Sequence, residues 1–228
     1  MEHAGDLAEY LVQATQAISI PIDQLQSQQF VEYAQALREW NRTVNLTTIN
    51  DYREVVVKHF LDSIIPLRFG LLSHKASMLD VGTGAGFPSV PLKIMRSDLR
   101  LVLLEPNLRK TSFLLYLIGT LQLDHVKVVN QTIEEFAGSA ADRFDLVTVR
   151  ALSLASIGHH VEKLLARGGT FLAYRSGKEE SEGFPPGLSL RNEWGYELPF
   201  GYGHRKLVAL SAPAAEQCDV PRGTRGAA

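Results

Sequence analysis

The sequence predicts a doubly wound α/β fold, a mostly parallel sheet with an antiparallel hairpin at one edge, preceded by a helical extension. Three observations carry this. Apolar residues recur at helical spacing up to about residue 70, short apolar runs alternate with helical stretches from Ser77 onward, and the first of those runs ends in a glycine-rich turn.

Leu7, Tyr10, Leu11, Ala14 and Ile18 form the stripe of an amphipathic helix that must end before Pro21. A second stripe runs through Phe30, Tyr33, Ala34, Leu37 and Trp40, with Asp23 and Gln26 spaced as a capping box. A third helix is expected over about 54–65, stopping near Pro66. Strands are expected at about 77–82, 100–105, 126–129, 144–149 and 170–174, with helices at about 89–96, 107–121 and 154–166 as right-handed crossovers. Two late runs, near 194–200 and 206–211, have no helical period between them and read as the antiparallel hairpin. The expected divisions are residues 1–70 for the helical extension, 71–212 for the α/β unit and 213–228 for a disordered tail rich in Ala, Gly and Pro.

Composition limits the partners. The 228-residue chain is 45% hydrophobic and 21% charged, an ordinary globular balance, and no apolar run reaches the ~20 residues that span a bilayer. The N-terminus MEHAGDLAEY has no basic segment followed by an apolar block, so a cytoplasmic location is expected. The only cysteine, Cys218, excludes an internal disulfide and a cysteine-based metal site. A net charge of −2 gives nucleic-acid binding no bulk support, but the 23 Lys and Arg leave room for a local basic face.

The chemistry gathers at Met78 to Pro88, where an apolar strand enters the turn Gly82-Thr83-Gly84-Ala85-Gly86 and then a helix. Glycines let the chain turn sharply and let a ligand approach the backbone N–H groups at the helix start. Glu105 ends the next strand, where a carboxylate suits a ribose diol. A dinucleotide fingerprint needs G-x-G-x-x-G, but the spacing here is G-x-G-x-G. With Asp80 two residues before Gly82, it resembles motif I of the class I methyltransferases, whose Rossmann-like fold binds S-adenosylmethionine. The plain alternative is a tight turn that binds nothing.

Further motifs narrow the resemblance. Trp40-Asn41 with Asn45-Leu46-Thr47, His59 with Asp62-Ser63, the run from Asp80 to Pro88, and Val149-Arg150-Ala151 together resemble the RsmG/GidB family over about residues 37–210. The family methylates N7 of a guanine in bacterial small-subunit (16S) ribosomal RNA. The resemblance implies S-adenosylmethionine as cofactor and the small subunit or its precursor as partner; a monomer without metal is expected. Carried over by position, Gly82 and Phe87 line the cofactor pocket beside Asp80, Gly84, Gly86 and Glu105. Ile133-Glu134 lie by the adenine, and Arg150 lines the pocket as the catalytic residue facing methyl transfer. Three positions depart from the family pattern. Thr132 stands where an Arg is expected, Ser89 where a Gly is, and Arg175-Ser176-Gly177-Lys178 where a Lys-Gly pair is. These positions are expected to face RNA.

Single residues carry less. Arg175, Lys178, Arg205 and Lys206 are expected in loops around the late strands, as a basic rim for phosphates. His59 and Asp62 are expected to share a helix face and bond each other or cap a neighbour, Trp40 to pack in the core, and His159-His160 to bind no metal. Guanine N7 carries a lone pair and no proton, so its methylation requires orientation rather than a general base. The guanine must be unstacked to reach the pocket. Two other readings stay open: a non-catalytic ribosome-binding protein that keeps the fold, and a nicotinamide-dependent oxidoreductase.

Overall fold

A computed structural model describes residues 4–139, 142–177 and 183–212. Helix α1 (Ala4–Ala17) buries Leu7, Leu11 and Ala14. Helix α2 (Gln24–Trp40) starts with the expected capping box, Asp23 accepting the Gln26 N–H at 2.8 Å and the Gln26 side chain accepting the Asp23 N–H at 2.9 Å. The third helical segment is broken. It runs as α3 (Tyr52–Val55), a π-helical stretch (Val56–Leu61), α4 (Asp62–Ile64) and a 3-10 turn (Ile65–Phe69) that ends on left-handed Gly70. π-Helical insertions recur at functional sites because they re-aim side chains.

Seven strands follow: β1 (Ser77–Val81), β2 (Arg100–Leu104), β3 (Val126–Val129), β4 (Phe144–Arg150), β5 (Leu165–Ser176), β6 (Ser189–Leu198) and β7 (Gly203–Ser211). Helices α5 (Ser89–Met95), α6 (Leu108–Thr120), α7 (Ile133–Ser139) and α8 (Leu154–Leu164) lie between them. The order is β3-β2-β1-β4-β5-β7-β6, parallel from β3 to β5, with β7 antiparallel to both β5 and β6. The expected hairpin is therefore present, and its second strand is the one that joins the sheet. Strands β5 and β6 each begin five residues earlier than the apolar runs indicated, at Leu165 and Ser189. Helix α7 was not foreseen. Its start is a capping box in which the Thr132 N–H donates to Glu135 at 2.9 Å and the Glu135 N–H donates to the Thr132 hydroxyl at 3.3 Å.

Strand alternation divides the core into two layers. Met78, Leu101, Leu103, Leu146, Leu172, Tyr174 and Leu207 pack with α1, α2, the broken helix, α5 and α6. Leu79, Val147, Val149, Phe171, Ala173, Val208 and Leu210 pack with α7 and α8. Trp40 lies in the first layer against Phe113 and Tyr116, with ring centroids 5.7 and 5.3 Å away. Among the described residues no helix is long and apolar enough to cross a membrane. Lys178, Cys218 and the expected tail lie outside the described residues.

Candidate active site

The strand order reverses between β1 and β4, and in open α/β sheets ligands bind at the carboxyl ends beside such a reversal. Asp80 is fully buried there. It accepts the Thr83 hydroxyl at 2.6 Å and the Thr148 hydroxyl at 2.9 Å, so its carboxylate braces the turn from beneath. Burial raises its pKa to about 7 against the opposing hydrogen bonds from Thr83, Thr148 and Ser89. Ser89 is also fully buried, which corrects the expectation that it faces RNA.

The three glycines differ in what they face. All have positive φ, 65° at Gly82, 61° at Gly84 and 98° at Gly86. A Cβ on Gly86 would lie 2.8 Å from Val90 Cγ2 and 2.9 Å from the Tyr33 hydroxyl, so Gly86 serves the packing of the turn on α2 and α5. A Cβ on Gly82 would meet Leu152 Cδ1 at 2.7 Å, whereas at Gly84 the nearest atom is the Gly82 carbonyl oxygen, 4.0 Å away. Gly84 alone opens onto space, as a turn meant to hold a ligand requires.

Glu105 follows β2 and is 5% exposed. Its Oε2 accepts the Gly84 N–H at 2.9 Å and its Oε1 the Asn107 N–H at 3.0 Å, so one carboxylate ties the glycine turn to the start of α6. The Glu105 carbonyl accepts Thr111 Oγ1 at 3.1 Å and Asn130 Nδ2 at 3.0 Å, which fixes the strand tip. The Glu105 N–H donates to the Val129 carbonyl, so α7 with buried Ile133 and exposed Glu134 starts just beyond this tip. Hydrogen bonds from its own N–H and then from Thr132 lower the Glu134 pKa. Thr132 caps this helix and so has a role in the fold.

Arg150 ends β4 in register with Tyr174. Alternation turns Thr148 and Arg150 toward the N-terminal helical layer. The guanidinium Nη2 donates to the Lys58 carbonyl at 2.8 Å and to His59 Nδ1 at 2.9 Å, and Nη1 stands 3.7 Å from Asp62 Oδ2. Asp62 Oδ1 accepts the Tyr196 hydroxyl at 2.7 Å, and the Ser63 carbonyl accepts the Tyr174 hydroxyl at 2.8 Å. Three strands thus grip the segment 58–63. Of the two expected alternatives, bonding each other or capping a neighbour, the described contacts favour neither simple form: His59 reaches Thr47 and Arg150, and Asp62 reaches Arg150 and Tyr196. The His59 ring stacks on Phe87 at 4.5 Å and Phe87 stacks on Tyr33 at 5.2 Å, with the Arg150 guanidinium 5.7 Å from the Phe87 ring centre. Phe87 is 8% exposed and joins the glycine turn to this cluster.

The basic rim is distributed differently from the expectation. Arg175 and Arg205 are strand residues rather than loop residues. Arg175 is opposite Lys206 and Ser176 is opposite Arg205, so Arg175 and Arg205 point to opposite faces. Arg175 Nη1 donates to the Leu152 carbonyl at 3.1 Å, bracing the loop after β4 in which Ala151 has a φ of 63°. Arg205 lines a groove of about 670 Å³ with Arg68, Phe69, Tyr196 and Lys206. Lys206 bonds Glu193 at 3.0 Å. Sequence reasoning assigned no function to Thr47, Tyr33, Tyr174 or Tyr196. Only the Asn41 to Thr47 motif carried a signal for the first. Among the described residues no group of three or more His, Cys, Asp or Glu stands ready to hold a metal.

A family profile described as rRNA small subunit methyltransferase G (GidB) matches residues 26–185. Ribosomal RNA small subunit methyltransferase G of Staphylococcus aureus (strain Newman) is 38% identical over 223 residues, 94% of this chain and 93% of that protein. Among solved structures, TrmN from Thermus thermophilus has a TM-score of 0.53 at 13% identity, covering 69% of this chain and 53% of that one. A SAM dependent methyltransferase from Aquifex aeolicus has a TM-score of 0.50 at 15% identity, covering 68% and 92%. The likeness to these two is one of fold, that of the class I methyltransferases.

Proposed function

The chain belongs to the GidB family, rRNA small subunit methyltransferase G, and from that premise we propose that it methylates N7 of a guanine in 16S ribosomal RNA, using S-adenosylmethionine. The observation that carries this reading is the pairing of Gly84 with Glu105, an open turn whose N–H is held by a nearly buried carboxylate. Two oxygens, each with a lone pair to spare, suit the two hydroxyls of a ribose. S-adenosylmethionine supplies a methyl group on a positively charged sulfur, already activated for transfer.

The residues then have distinct tasks. Glu105 accepts the ribose hydroxyls, and Gly84 leaves room for the ligand beside the turn. Asp80 and Gly86 shape the turn, one bracing it with its carboxylate and one allowing its packing. Ile133 offers an apolar contact and Glu134 an acceptor beside the adenine. Guanine N7 attacks with its own lone pair, so the protein's main contribution is to hold the base in line. Arg150 is assigned to that task. The methylated base gains positive charge, so the guanidinium orients the base or its phosphate and does not stabilise the product. Arg205 and Arg68 flank the groove on the hairpin side and offer charge to RNA phosphates. Arg175 braces the Leu152 loop, and Lys178 is kept as an RNA contact on its sequence position alone.

The partner is the small subunit or its precursor, met in the cytoplasm by a monomer in which the described residues of the helical extension, 4–70, pack on those of the α/β unit. Ser89 and Thr132 have roles in the fold, which weakens the case for a non-catalytic binder, and the G-x-G-x-G spacing disfavours a nicotinamide enzyme. Single-turnover transfer of labelled methyl to small subunits tests the reading. Arg150→Ala and Arg150→Lys should each slow transfer about 10- to 100-fold with cofactor affinity nearly unchanged, because misplacing the base by ~1 Å costs about that much. An Arg150→Ala rate equal to wild type would remove Arg150 from the site.

A further inference from the structure

We propose that His59 is a positioning residue for methyl transfer, the last link of a chain from Asn41 through Thr47 that sets the plane of the Arg150 guanidinium. The inference rests on the role given to Arg150 above. It starts from donor and acceptor chemistry: a guanidinium has only N–H groups, so the 2.9 Å contact from Arg150 Nη2 requires a lone pair on His59 Nδ1. The ring proton is thereby assigned to Nε2, which donates to Thr47 Oγ1 at 2.8 Å. The orientation of the ring is fixed from both ends.

Thr47 is fixed in turn. Asn41 ends α2, its Oδ1 accepts the Leu46 and Thr47 N–H groups at 2.9 and 3.0 Å, and its Nδ2 donates to the Thr47 carbonyl at 2.8 Å. The Thr47 hydroxyl also accepts the Ile49 N–H at 3.1 Å, which leaves it oriented to receive the imidazole proton. Burial first and Arg150 second hold the His59 pKa down to about 3, so the neutral ring persists across the working range of pH.

The consequence lies in how each end of the guanidinium is held. Nη2 has two N–H groups, and the Lys58 carbonyl and His59 Nδ1 use both. Nη1 is buried without a hydrogen-bond partner and is ion-paired with Asp62 Oδ2 across 3.7 Å. The protein therefore holds one end of the fork by two hydrogen bonds and the other, buried end by an ion pair alone, with Phe87 of the glycine turn stacked on the same histidine. The cofactor turn and the base-orienting cation share one support. Without His59 the guanidinium would keep its charge and its Lys58 contact but lose its fixed plane.

Two amides separate this role from packing. In His59→Asn the amide oxygen takes the place of Nδ1 and can accept from Arg150. In His59→Gln the amide nitrogen takes the place of Nε2 and can reach Thr47 only. Both lose the stacked ring. The measurement is single-turnover methyl transfer to small subunits at saturating cofactor, with cofactor affinity and melting temperature recorded for each variant. His59→Asn should stay within about threefold of wild type, and His59→Gln should fall about 10- to 100-fold at similar cofactor affinity. On an Arg150→Lys background His59→Gln should cost little more, since it acts through the guanidinium. Equal losses in the two amides that track melting temperature, or the same loss from His59→Gln on both backgrounds, would overturn the proposal. If Arg150→Lys is slow and His59→Gln is as fast as wild type, only this inference fails. If Arg150→Lys and Arg150→Ala both match wild type, the underlying reading fails with it.

Discussion

Replacing Glu105 by Gln changes one atom and almost no volume, yet the geometry predicts a substantial loss. The carboxylate accepts Gly84 N–H at 2.9 Å on one oxygen and Asn107 N–H at 3.0 Å on the other. A primary amide has a single oxygen, so in either orientation its NH2 faces one of these N–H groups, donor against donor. Leaving a nearly buried N–H unsatisfied costs about 1–3 kcal/mol. The same amide can accept only one of two ribose hydroxyls, so affinity for S-adenosylhomocysteine should fall by about 5- to 150-fold, the range that 1–3 kcal/mol corresponds to. The melting temperature should drop by about 2–4 °C per kcal/mol for a chain of this size. Calorimetric titration of wild type and Glu105→Gln, with melting curves on the same samples, measures both. A folded variant with unchanged affinity would refute the placement of the pocket at this carboxylate.

The two glycines with different neighbours should separate binding from folding. Gly84→Ala should retain most of its stability, losing about 1–2 kcal/mol for a non-glycine residue at positive φ, and lose cofactor affinity. Gly86→Ala should unfold at much lower denaturant, because its Cβ meets Val90 and Tyr33 below 3 Å. Similar denaturant midpoints for the two variants would contradict this. Asp80→Asn tests the raised carboxyl. Between about pH 4 and 7 the folded wild type holds a proton at Asp80 that the unfolded chain has released, so wild-type stability should fall as pH rises through that window and level off above it. The asparagine variant lacks this component, so the wild-type minus variant difference should decline from pH 4.5 to 7.5. His59 acts in the opposite sense, since its folded pKa is low and the unfolded chain gains a proton as pH falls below about 6.5. It is present in both proteins and cancels. A pH-independent difference would mean that Asp80 titrates normally.

Much of this layout was legible in the sequence because it depends on local patterns. Helical stripes gave α1 and α2, the capping box marked Asp23, and the glycine turn with Glu105 marked the proposed cofactor site. Helix α7 was missed because it buries only Ile133 and Phe136, too few for a stripe, although Thr132 and Glu135 spell its cap. The start of β5 was missed because Leu165 and Ala166 continue the apolar pattern of the preceding helix and Arg167, Gly168 and Gly169 read as a turn, and the start of β6 because Ser189 to Glu193 are all exposed. The contacts within the Arg150 cluster could not be read, since they join residues 91 positions apart and depend on a π-helical turn. Alternation along β4 did contain half of the answer: Arg150 follows buried Val149 and must therefore face the helical layer. Arg175 and Arg205 look equivalent in sequence, and only the pairing register separates their faces.

The central claim is a methyl group delivered to one ring nitrogen of guanine in small-subunit RNA. The direct measurement uses S-adenosylmethionine labelled in the methyl group, small ribosomal subunits lacking the modification, and wild-type protein, followed by hydrolysis of the RNA to nucleosides and separation of the label. The account predicts one labelled product, 7-methylguanosine, derived from a single position. It also predicts that Glu105→Gln and Arg150→Lys yield the same product more slowly. Label in any other nucleoside, or no label in RNA from subunits or from their precursors, would contradict it.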